Sequence, residues 1–521
     1  MVRSLLCFLS LALSLGLAGC GVATPVINPP QASLETVVPN RLVVFYHSGS
    51  VPASASAMAA RAGAQVISHM PALGLSSVQV SGDPQAAIDA LLAQPEVSAV
   101  LHDRYITVDR LQLHADATSY VNGPLPQSPH ISSTVEKPFI TPESDYFYET
   151  PQGWAVQSAG GYGKDIPGGP LTGPWNTATG AGVRIAVLDS GVDPTHPDIA
   201  PNLVLNLSEV NQTALPSVCD DGSPVDQTGH GTFTASLAAA AQGPGTGLII
   251  GVAPHAAILN IKVVERMPAT TPGTTLSQCE AGEGAGYLSW VLQGIQDAIS
   301  NHANIISASL GTLVDTTTGD GAGWVTQMNA ITYAASQAGV VIVAAAGNDS
   351  LNLATSHYVD LPAQARNVLP VVASTNPACA EDTAANATCV PGPVTRAYYS
   401  NYGSTLNAIA APGGSFPGGT TFGVSGFVRG ACARGLANTT DGLPSVGGQS
   451  LGCFNLGHTA YVQAIGTSAS APLVAGAAAL LLSAHPTWTP AQVIAALRST
   501  AVTTSSMTEP ELNLPAALAL N

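Results

Sequence analysis

Residues 183–193 read VRIAVLDSGVD, and this stretch decides the fold. Its first half is a nearly continuous apolar run, which is typical of a strand buried on both faces of a parallel sheet. Helical patterns alternate with further runs of this kind at 258–264, 305–310, 340–346 and 368–373. The alternation predicts an α/β protein with a mostly parallel sheet covered by helices on both faces.

Three polar side chains stand where such sheets form their sites, at strand ends and helix starts. Asp189 ends the first strand, and His230 lies in GHGT at the start of a predicted helix. Ser468 lies in GTSASAP (466–472), where backbone dipoles at a helix start favour developing negative charge. Each alone could be a turn or cap residue. Together they are the carboxylate, base and nucleophile that peptide hydrolysis by serine requires.

These segments resemble the signature regions of the subtilases, in the same chain order of Asp, His and Ser. The resemblance runs from about residue 152 onward and implies a three-layer, subtilisin-like fold. It implies a serine endopeptidase in which Asp189 orients His230, His230 is general base and then acid, and Ser468 forms the acyl-enzyme. This chemistry requires no cofactor. The family usually has Met after the catalytic serine, where this chain has Ala469.

The resemblance also assigns an oxyanion donor and a substrate cleft. Asn348 matches the family's oxyanion asparagine and would act with the backbone N–H of Ser468. Two segments match the walls of the first specificity pocket, and a third matches the edge that pairs with extended substrate. These segments are Ser309, Leu310 and Gly311, then Ala345, Ala346 and Gly347, and finally Gly284, Ala285 and Gly286.

The small pocket walls predict a medium or large apolar or aromatic P1 side chain, the one on the acyl side of the cleaved bond. Asp349 beside the pocket keeps basic P1 side chains open. Asp198 matches a carboxylate of the family's tight calcium site. The partner loop at 243–251 lacks the usual Asn ligand and has Gly245 near that place, so a structural calcium at Asp198 stays open.

The segment before the protease has the pattern of a small α+β domain. Strands are predicted at 41–47, 64–70, 75–80 and 97–108, and helices at 54–63 and 83–93. The order β-α-β-β-α-β predicts a ferredoxin-like domain over residues 41–110. In front of a protease it resembles the inhibitory propeptide of subtilases, which implies a zymogen with its own propeptide as intramolecular chaperone and inhibitor.

Two further boundaries follow from composition. Residues 111–150 are polar and Pro-rich without periodicity, which predicts a linker with the processing site, and residues 151–521 are then the peptidase catalytic domain. We expect a monomer acting on protein or peptide substrates.

The N-terminus is a targeting segment over residues 1–20. Arg3, an apolar run at 5–17 and the closing LAGC resemble the bacterial lipoprotein signal, in which Cys20 receives the lipid. The alternative is an ordinary signal peptide with an incidental cysteine. Residues 21–40 are a Pro-rich tether. We expect an exported precursor anchored to the membrane at Cys20, whose processing leaves the lipid on the propeptide and a mature protease that is secreted or in the cell envelope.

The composition supports export and excludes some partners. The net charge of -17 argues against nucleic-acid binding, which needs clustered Lys and Arg. An even number of cysteines after residue 20 predicts disulfides outside the cytosol. Proximity along the chain favours Cys379–Cys389 and Cys432–Cys453, leaving Cys219–Cys279, among fifteen pairings that are formally open.

Two other functions remain open. GTSAS also resembles the sedolisins, acid peptidases of similar fold that use Glu and Asp instead of His and have Asp at the oxyanion position. His230 and Asn348 argue against that assignment. A catalytically inactive lipoprotein could use the fold as a binding module, but the chain retains all four catalytic residues.

Overall fold

The N-terminal module forms an antiparallel sheet that carries two helices. The computed structural model describes residues 37–108, 112–113, 153–160, 173–243, 246–270, 272–375, 394–414, 427–433, 453 and 460–520. The module contains β1 (Val37–Tyr46), α1 (Ala55–Arg61), β2 (Ala64–Met70), β3 (Leu75–Val80), α2 (Pro84–Leu92) and β4 (Val97–Val108). The strands pair in the order β4-β1-β3-β2, which is the ferredoxin-like arrangement predicted from the sequence.

The protease part alternates strands and helices. Its helices are α3 (Trp154–Ser158), α4 (Pro174–Thr177), α5 (His230–Ala239), α6 (Thr275–Glu280), α7 (Leu288–Ser300), α8 (Gly319–Gln337), α9 (Thr467–Ala484), α10 (Pro490–Thr500) and α11 (Leu514–Leu518). Its strands follow a short β5 (Gln112–Leu113) and are β6 (Arg184–Asp189), β7 (Leu203–Ser208), β8 (Ala257–Lys262), β9 (Glu265–Met267), β10 (Glu283–Tyr287), β11 (Ile305–Ala308), β12 (Leu310–Asp315), β13 (Val341–Ala345), β14 (Tyr358–Leu361), β15 (Val368–Thr375), β16 (Thr395–Arg396), β17 (Ile409–Pro412), β18 (Val428–Ala431) and β19 (Tyr461–Ile465).

A mostly parallel sheet forms the middle layer, in the order β16-β15-β13-β11-β6-β8-β7 with β17 beside β15. β6 is central and runs parallel to both β8 and β11, while β16 is antiparallel to β15. Alternate side chains of β6 enter two separate cores. Ile185 and Val187 pack in the core that contains α5 and α9, whereas Ala186 and Leu188 pack in the core that contains α7 and α8. The predicted three-layer architecture is confirmed.

The buried helix α9 makes the core on its side of the sheet strongly apolar. By length and composition it is the one described helix that could cross a membrane, but 83% of its 18-residue window is buried inside the molecule. Its residues 467–482 are all buried, as expected for a core helix that packs against α5 and the parallel sheet.

A second sheet joins the module to the protease. The last residues of β4 leave the module and pair antiparallel with β10 on one side and with β12 on the other. β12 also pairs with β14, and β10 with β9, so module and protease strands form one eight-stranded sheet. Sequence patterns do not predict this pairing, because it joins segments nearly 200 residues apart.

Some elements differ from the sequence prediction. Helix α8 begins at Gly319 rather than near 325, because Thr318 caps it by accepting a hydrogen bond from the N–H of Gly321. Glycines at its start concealed it, since they are poor helix formers. The edge strands β7 and β14 were also missed, because short strands at sheet edges lack a long apolar run.

Two of the predicted disulfides are present in the described residues. Cys219 pairs with Cys279 at a Cα–Cα distance of 5.3 Å, and Cys432 pairs with Cys453 at 5.4 Å. Both lie within the usual range for this bond. Cys379 and Cys389 lie outside the described residues.

Candidate active site

Asp189 and His230 form a buried pair at the carboxyl end of β6. His230 Nδ1 lies 2.7 Å from Asp189 Oδ1, and the same oxygen accepts the N–H of Ser190 at 2.7 Å. The hydroxyl of Thr234 donates to the other oxygen, Asp189 Oδ2, at 3.0 Å. A carboxylate held in this way makes Nδ1 the protonated nitrogen of the neutral ring, so that Nε2 is the basic one.

Ser468 is the second residue of α9, which packs against α5, the helix that His230 begins. The hydroxyl of Ser309 donates to the carbonyl of Ser468 at 3.0 Å, and Ser468 Oγ lies 3.4 Å from the carbonyl oxygen of Ser309. Ser309 directly follows β11, the neighbour of β6. The start of α9 is therefore fixed to the same edge of the sheet at which Asp189 lies.

The Asn348 side chain presents an unsatisfied donor beside the serine. Its Oδ1 accepts the N–H of Thr467 at 2.9 Å and the Thr467 hydroxyl at 3.0 Å. Because Thr467 holds Oδ1, the Nδ2 end of the amide faces away from Thr467. The Nδ2 atom is buried and has no hydrogen-bond partner in the described part of the chain. A buried donor without a partner next to a nucleophile is the arrangement expected for binding an oxyanion.

Asp226 organises the loop before α5, and the sequence analysis missed it. Its Oδ1 accepts the hydroxyl of Ser190 at 3.0 Å, the N–H and hydroxyl of Thr228 at 2.9 and 3.0 Å, and the N–H of Gly229 at 2.8 Å. Its Oδ2 accepts the N–H and hydroxyl of Thr232 at 2.9 and 2.7 Å. The N-cap Gly229 has no side chain to cap α5. Asp226 supplies that function and ties the two loops of the acid–base pair together.

The predicted substrate edges flank strand β4. Ala285 and Gly286 of β10 pair with Thr107 and Ile106, and Leu310 and Gly311 of β12 pair with Val108 and Thr107. A Cβ on Gly284 would lie 2.8 Å from a methyl group of Val108, so a glycine is needed at this close approach. Ala345 ends β13, and Ala346 and Gly347 follow it beside the segment that begins at Ser309.

A second pairing lies on the other side of Ser468. Beyond the undescribed residues 109–111, β5 pairs antiparallel with β19, with Gln112 opposite Ile465 and Leu113 opposite Ala464. β19 ends directly before the segment that carries Ser468. Main-chain pairing therefore holds the chain on both sides of the nucleophile.

Asp198 accepts a hydrogen bond on its Oδ2 atom, while its buried Oδ1 has no hydrogen-bond partner in the described residues. The Tyr461 hydroxyl donates to Asp198 Oδ2 at 3.0 Å, and the N–H groups of Gly247, Leu248 and Ile249 face the carboxylate. Calcium takes oxygen ligands, whereas N–H groups turn positive charge toward the place of a cation. Within the residues that the structure describes, no group of three or more His, Cys, Asp or Glu side chains could hold a metal.

Buried charges also support the substrate edge. Lys262 Nζ donates to both oxygens of Asp220 at 2.7 and 2.9 Å, and the N–H of Arg266 in β9 donates to Asp220 Oδ2 at 3.0 Å. The pKa of Glu265 is raised to about 8, mainly by burial and also by the nearby Asp220, against a lowering effect of Lys262. Burial raises the pKa of Asp198 to about 7, against the lowering effect of its hydrogen bonds.

Comparison with known proteins agrees with this geometry. The model of the subtilase family matches residues 180–515, and the model of the fervidolysin N-terminal prodomain matches residues 26–101. The chain belongs to the subtilase family and carries a fervidolysin-like prodomain.

Subtilisin NAT of Bacillus subtilis subsp. natto and the subtilisin of Bacillus pumilus are each 32% identical to this chain over 327 residues, or 62% of it. The match spans 61% of the first relative, which is less than two thirds of its length, and 85% of the second. The crystal structure of fervidolysin from Fervidobacterium pennivorans, described as a keratinolytic enzyme related to subtilisin, superposes with a TM-score of 0.61 at 20% identity. It covers 95% of this chain and 62% of that one, and it supports the fold.

Proposed function

We propose that this chain is a serine endopeptidase that is made as a zymogen. The observation that carries the proposal is the buried Asp189–His230 contact of 2.7 Å, on the sheet edge to which the start of α9 is tied. In this proposal His230 takes the proton of Ser468 as Oγ attacks the peptide carbonyl, and then passes it to the leaving amine. The acyl-enzyme on Ser468 is hydrolysed by water along the same path.

Asn348 is proposed as the oxyanion donor. Its buried Nδ2 and the N–H of Ser468 would stabilise the negative charge of the tetrahedral intermediate, and losing one such donor typically costs about 3 kcal/mol. The proposed cleft binds a protein or peptide substrate as an added strand between β10 and β12, in the way that β4 pairs with both edges.

The same pairing supports a position for the bond that is cut during maturation. β4 pairs on one side of the serine up to Val108, and β5 resumes pairing on the other side at Gln112. The bond cut during autoprocessing would therefore lie between Val108 and Gln112, at the start of the predicted linker 111–150. The propeptide is then 41–110 and the catalytic domain 151–521, and Trp154 belongs to the protease core.

The N-terminal anchor belongs to this proposal as well. Cys20, residues 21–36 of the tether and nearly all of the linker lie outside the described residues, while the two disulfides are typical of exported proteins. A precursor lipidated at Cys20 would be held at the membrane, and autoprocessing would release the protease. Fractionation of wild type beside Ser468→Ala tests this, because wild-type enzyme that stays as membrane-bound as the variant contradicts the release.

We further propose that Asp198 stabilises its loop without calcium. Donation from Tyr461 to Asp198 Oδ2 supports this, together with the loop N–H groups that face the carboxylate.

The enzymatic proposal is tested with a fluorophosphonate probe. Processed wild-type protein should form an adduct on Ser468, located by peptide mass spectrometry, and should hydrolyse casein near neutral pH. Ser468→Ala should form no adduct and remain as full-length precursor. Processed, folded wild-type protein that forms no adduct on Ser468 contradicts the proposal and favours a binding module.

A further inference from the structure

A buried carboxylate lies between the walls of the predicted specificity pocket. Asp360 is 3% exposed and lies in β14, opposite Leu313 of β12. A Cβ placed on Gly311 would lie 2.5 Å from Asp360 Oδ1, and one placed on Gly347 would lie 2.7 Å from Asp360 Oδ2. The side chain of a third segment therefore fills the space that both glycines leave open, and its two oxygens face the two walls.

A second acid stands at the edge of the same pocket. Asp349 accepts the Asn401 amide at 3.2 Å, and its own N–H donates to Asn401 Oδ1 at 3.1 Å. Asn401 also donates its backbone N–H to the carbonyl of Gly347, so the acid is tied to the pocket wall. The pocket thus contains one carboxylate between its walls and another held at its rim, in a chain that has few basic residues.

We infer that Asp360 makes this enzyme select Lys and Arg as the P1 side chain, an inference that rests on the proposed endopeptidase function. The Asp360 carboxylate places negative charge between the two walls, where an ammonium or guanidinium group entering the pocket can form a charge-assisted hydrogen bond with it. An apolar P1 side chain would instead press methylene groups against the charge. Asp360 thereby reverses the apolar preference that the small walls predict.

The chain's own sequence supports this inference independently. Between Val108 and Gln112, which pair on opposite sides of the serine, the sequence reads Asp109-Arg110-Leu111. Arg110 is the basic residue in this stretch. With a pocket that selects Arg, hydrolysis falls on the Arg110–Leu111 bond, where water adds to leave a carboxylate on Arg110 and an amino group on Leu111. The mature chain would begin at Leu111.

The test compares peptides that differ only at P1, with Arg, Lys, Leu or Phe in that position. Wild-type enzyme should show a kcat/KM for Arg and Lys about 100-fold above that for Phe, because a basic P1 side chain can donate a charge-assisted hydrogen bond to Asp360 and Phe cannot. In Asp360→Asn this ratio should fall to about threefold or less. Asp315→Asn, at the far end of the β12–β14 pair, is the matched control and should retain the wild-type ratio. Asp349→Asn measures the contribution of the second acid.

The outcomes separate the inference from the proposed function. Fluorophosphonate labelling counts active sites in each preparation, and benzamidine should protect Ser468 from the probe in wild type but not in Asp360→Asn. Labelled wild-type enzyme that prefers Phe or Leu over Arg overturns the basic specificity and leaves the protease standing. Absence of labelling overturns the protease itself. The wild-type peptide series decides the P1 specificity even if Asp360→Asn fails to mature. If N-terminal sequencing of the mature enzyme does not find Leu111, the support from the Arg110–Leu111 bond is lost.

Discussion

In the protease part, buried carboxylates accept hydrogen bonds from loops at one edge of the parallel sheet, whereas in the N-terminal module they reach across an interface. Asp226 is satisfied by neutral donors close to it in the fold. Asp103 of the module pairs with Arg41 at 3.0 Å and accepts the N–H of Ser289 at 3.0 Å, at the start of α7. Across the same interface Arg104 meets Asp320 at 2.7 Å.

This difference reflects how long each arrangement has to last. The network around Asp226 belongs to the permanent catalytic geometry, and water would have to enter a core to replace its donors. In the proposed zymogen the module's contacts would need to hold only until the chain is cut, after which the charged groups could return to water. Apolar packing also contributes, since Phe45 of the module stacks edge-on against Trp324 of α8. Buried ion pairs add register to such an interface more than net stability.

The strongest test of the permanent network is Asp226→Asn. An asparagine replaces one accepting oxygen by an NH2 group that cannot accept the N–H and hydroxyl of Thr232. We expect kcat to fall about 100-fold with KM within about threefold, because misplacing a catalytic group by about 1 Å has this effect. Loss of the negative charge should also move the acid limb of the kcat/KM profile to lower pH.

Ser190→Ala is its graded control, because it removes one hydroxyl that donates to Asp226 and accepts the N–H of Gly231, while the charge of Asp226 is kept. Its decrease in kcat should be smaller and its pH profile unshifted. An Asp226→Asn enzyme with wild-type kcat would show that the network does not position the catalytic pair.

The transient interface is tested by Asp320→Asn in the full chain. The substitution removes the carboxylate that Arg104, which is 1% exposed, meets at 2.7 Å. Because Asp320 itself is 24% exposed, we discount the usual effect of breaking a buried pair and expect a release rate about tenfold faster after processing. The lag before activity appears against a peptide substrate measures it. Asp315→Asn, near the start of the same helix, should leave the lag unchanged.

A smaller effect is expected at the Asp198 loop. Tyr461→Phe removes the hydroxyl that donates to Asp198 and accepts the N–H of Leu248, so the free energy of unfolding should fall by about 1–2 kcal/mol. Chelation with EDTA should leave the wild-type melting temperature unchanged. A clear drop in that temperature with EDTA, restored by calcium, would contradict metal-free stabilisation of this loop.

The last prediction concerns how the free energy of unfolding depends on pH. The pKa of Asp198 is raised from 3.8 to about 7 in the fold, so the native state keeps a proton that the unfolded chain has released. The contribution of Asp198 to the free energy of unfolding is therefore largest below about pH 4 and is lost as the pH rises toward 7. The pKa of Glu265 is raised to about 8, so this residue acts in the same direction up to that pH. We expect the free energy of unfolding to decline between pH 5 and 8, and urea titrations should find this decline flattened in Asp198→Asn.

The comparison also explains where sequence analysis succeeded. β2 and β3 were predicted to the residue, and the motifs around Asp189, His230 and Ser468 identified the family, because each signal lies in contiguous residues. Asp226 and Asp360 escaped notice. An Asp before a helix or in a short strand has no local pattern, and its role depends on which distant segments face its oxygens.

By itself, the sequence determined the types and order of many elements, the candidate catalytic side chains and the prodomain. Only the tertiary structure decided that β4 enters the cleft, that Asn348 turns a buried N–H toward the nucleophile, and that Asp360 lies between Gly311 and Gly347. The physical reason is that periodicity and turn chemistry act between near neighbours along the chain. The hydration and partners of a buried polar group are instead set by strands that meet only when the sheets assemble.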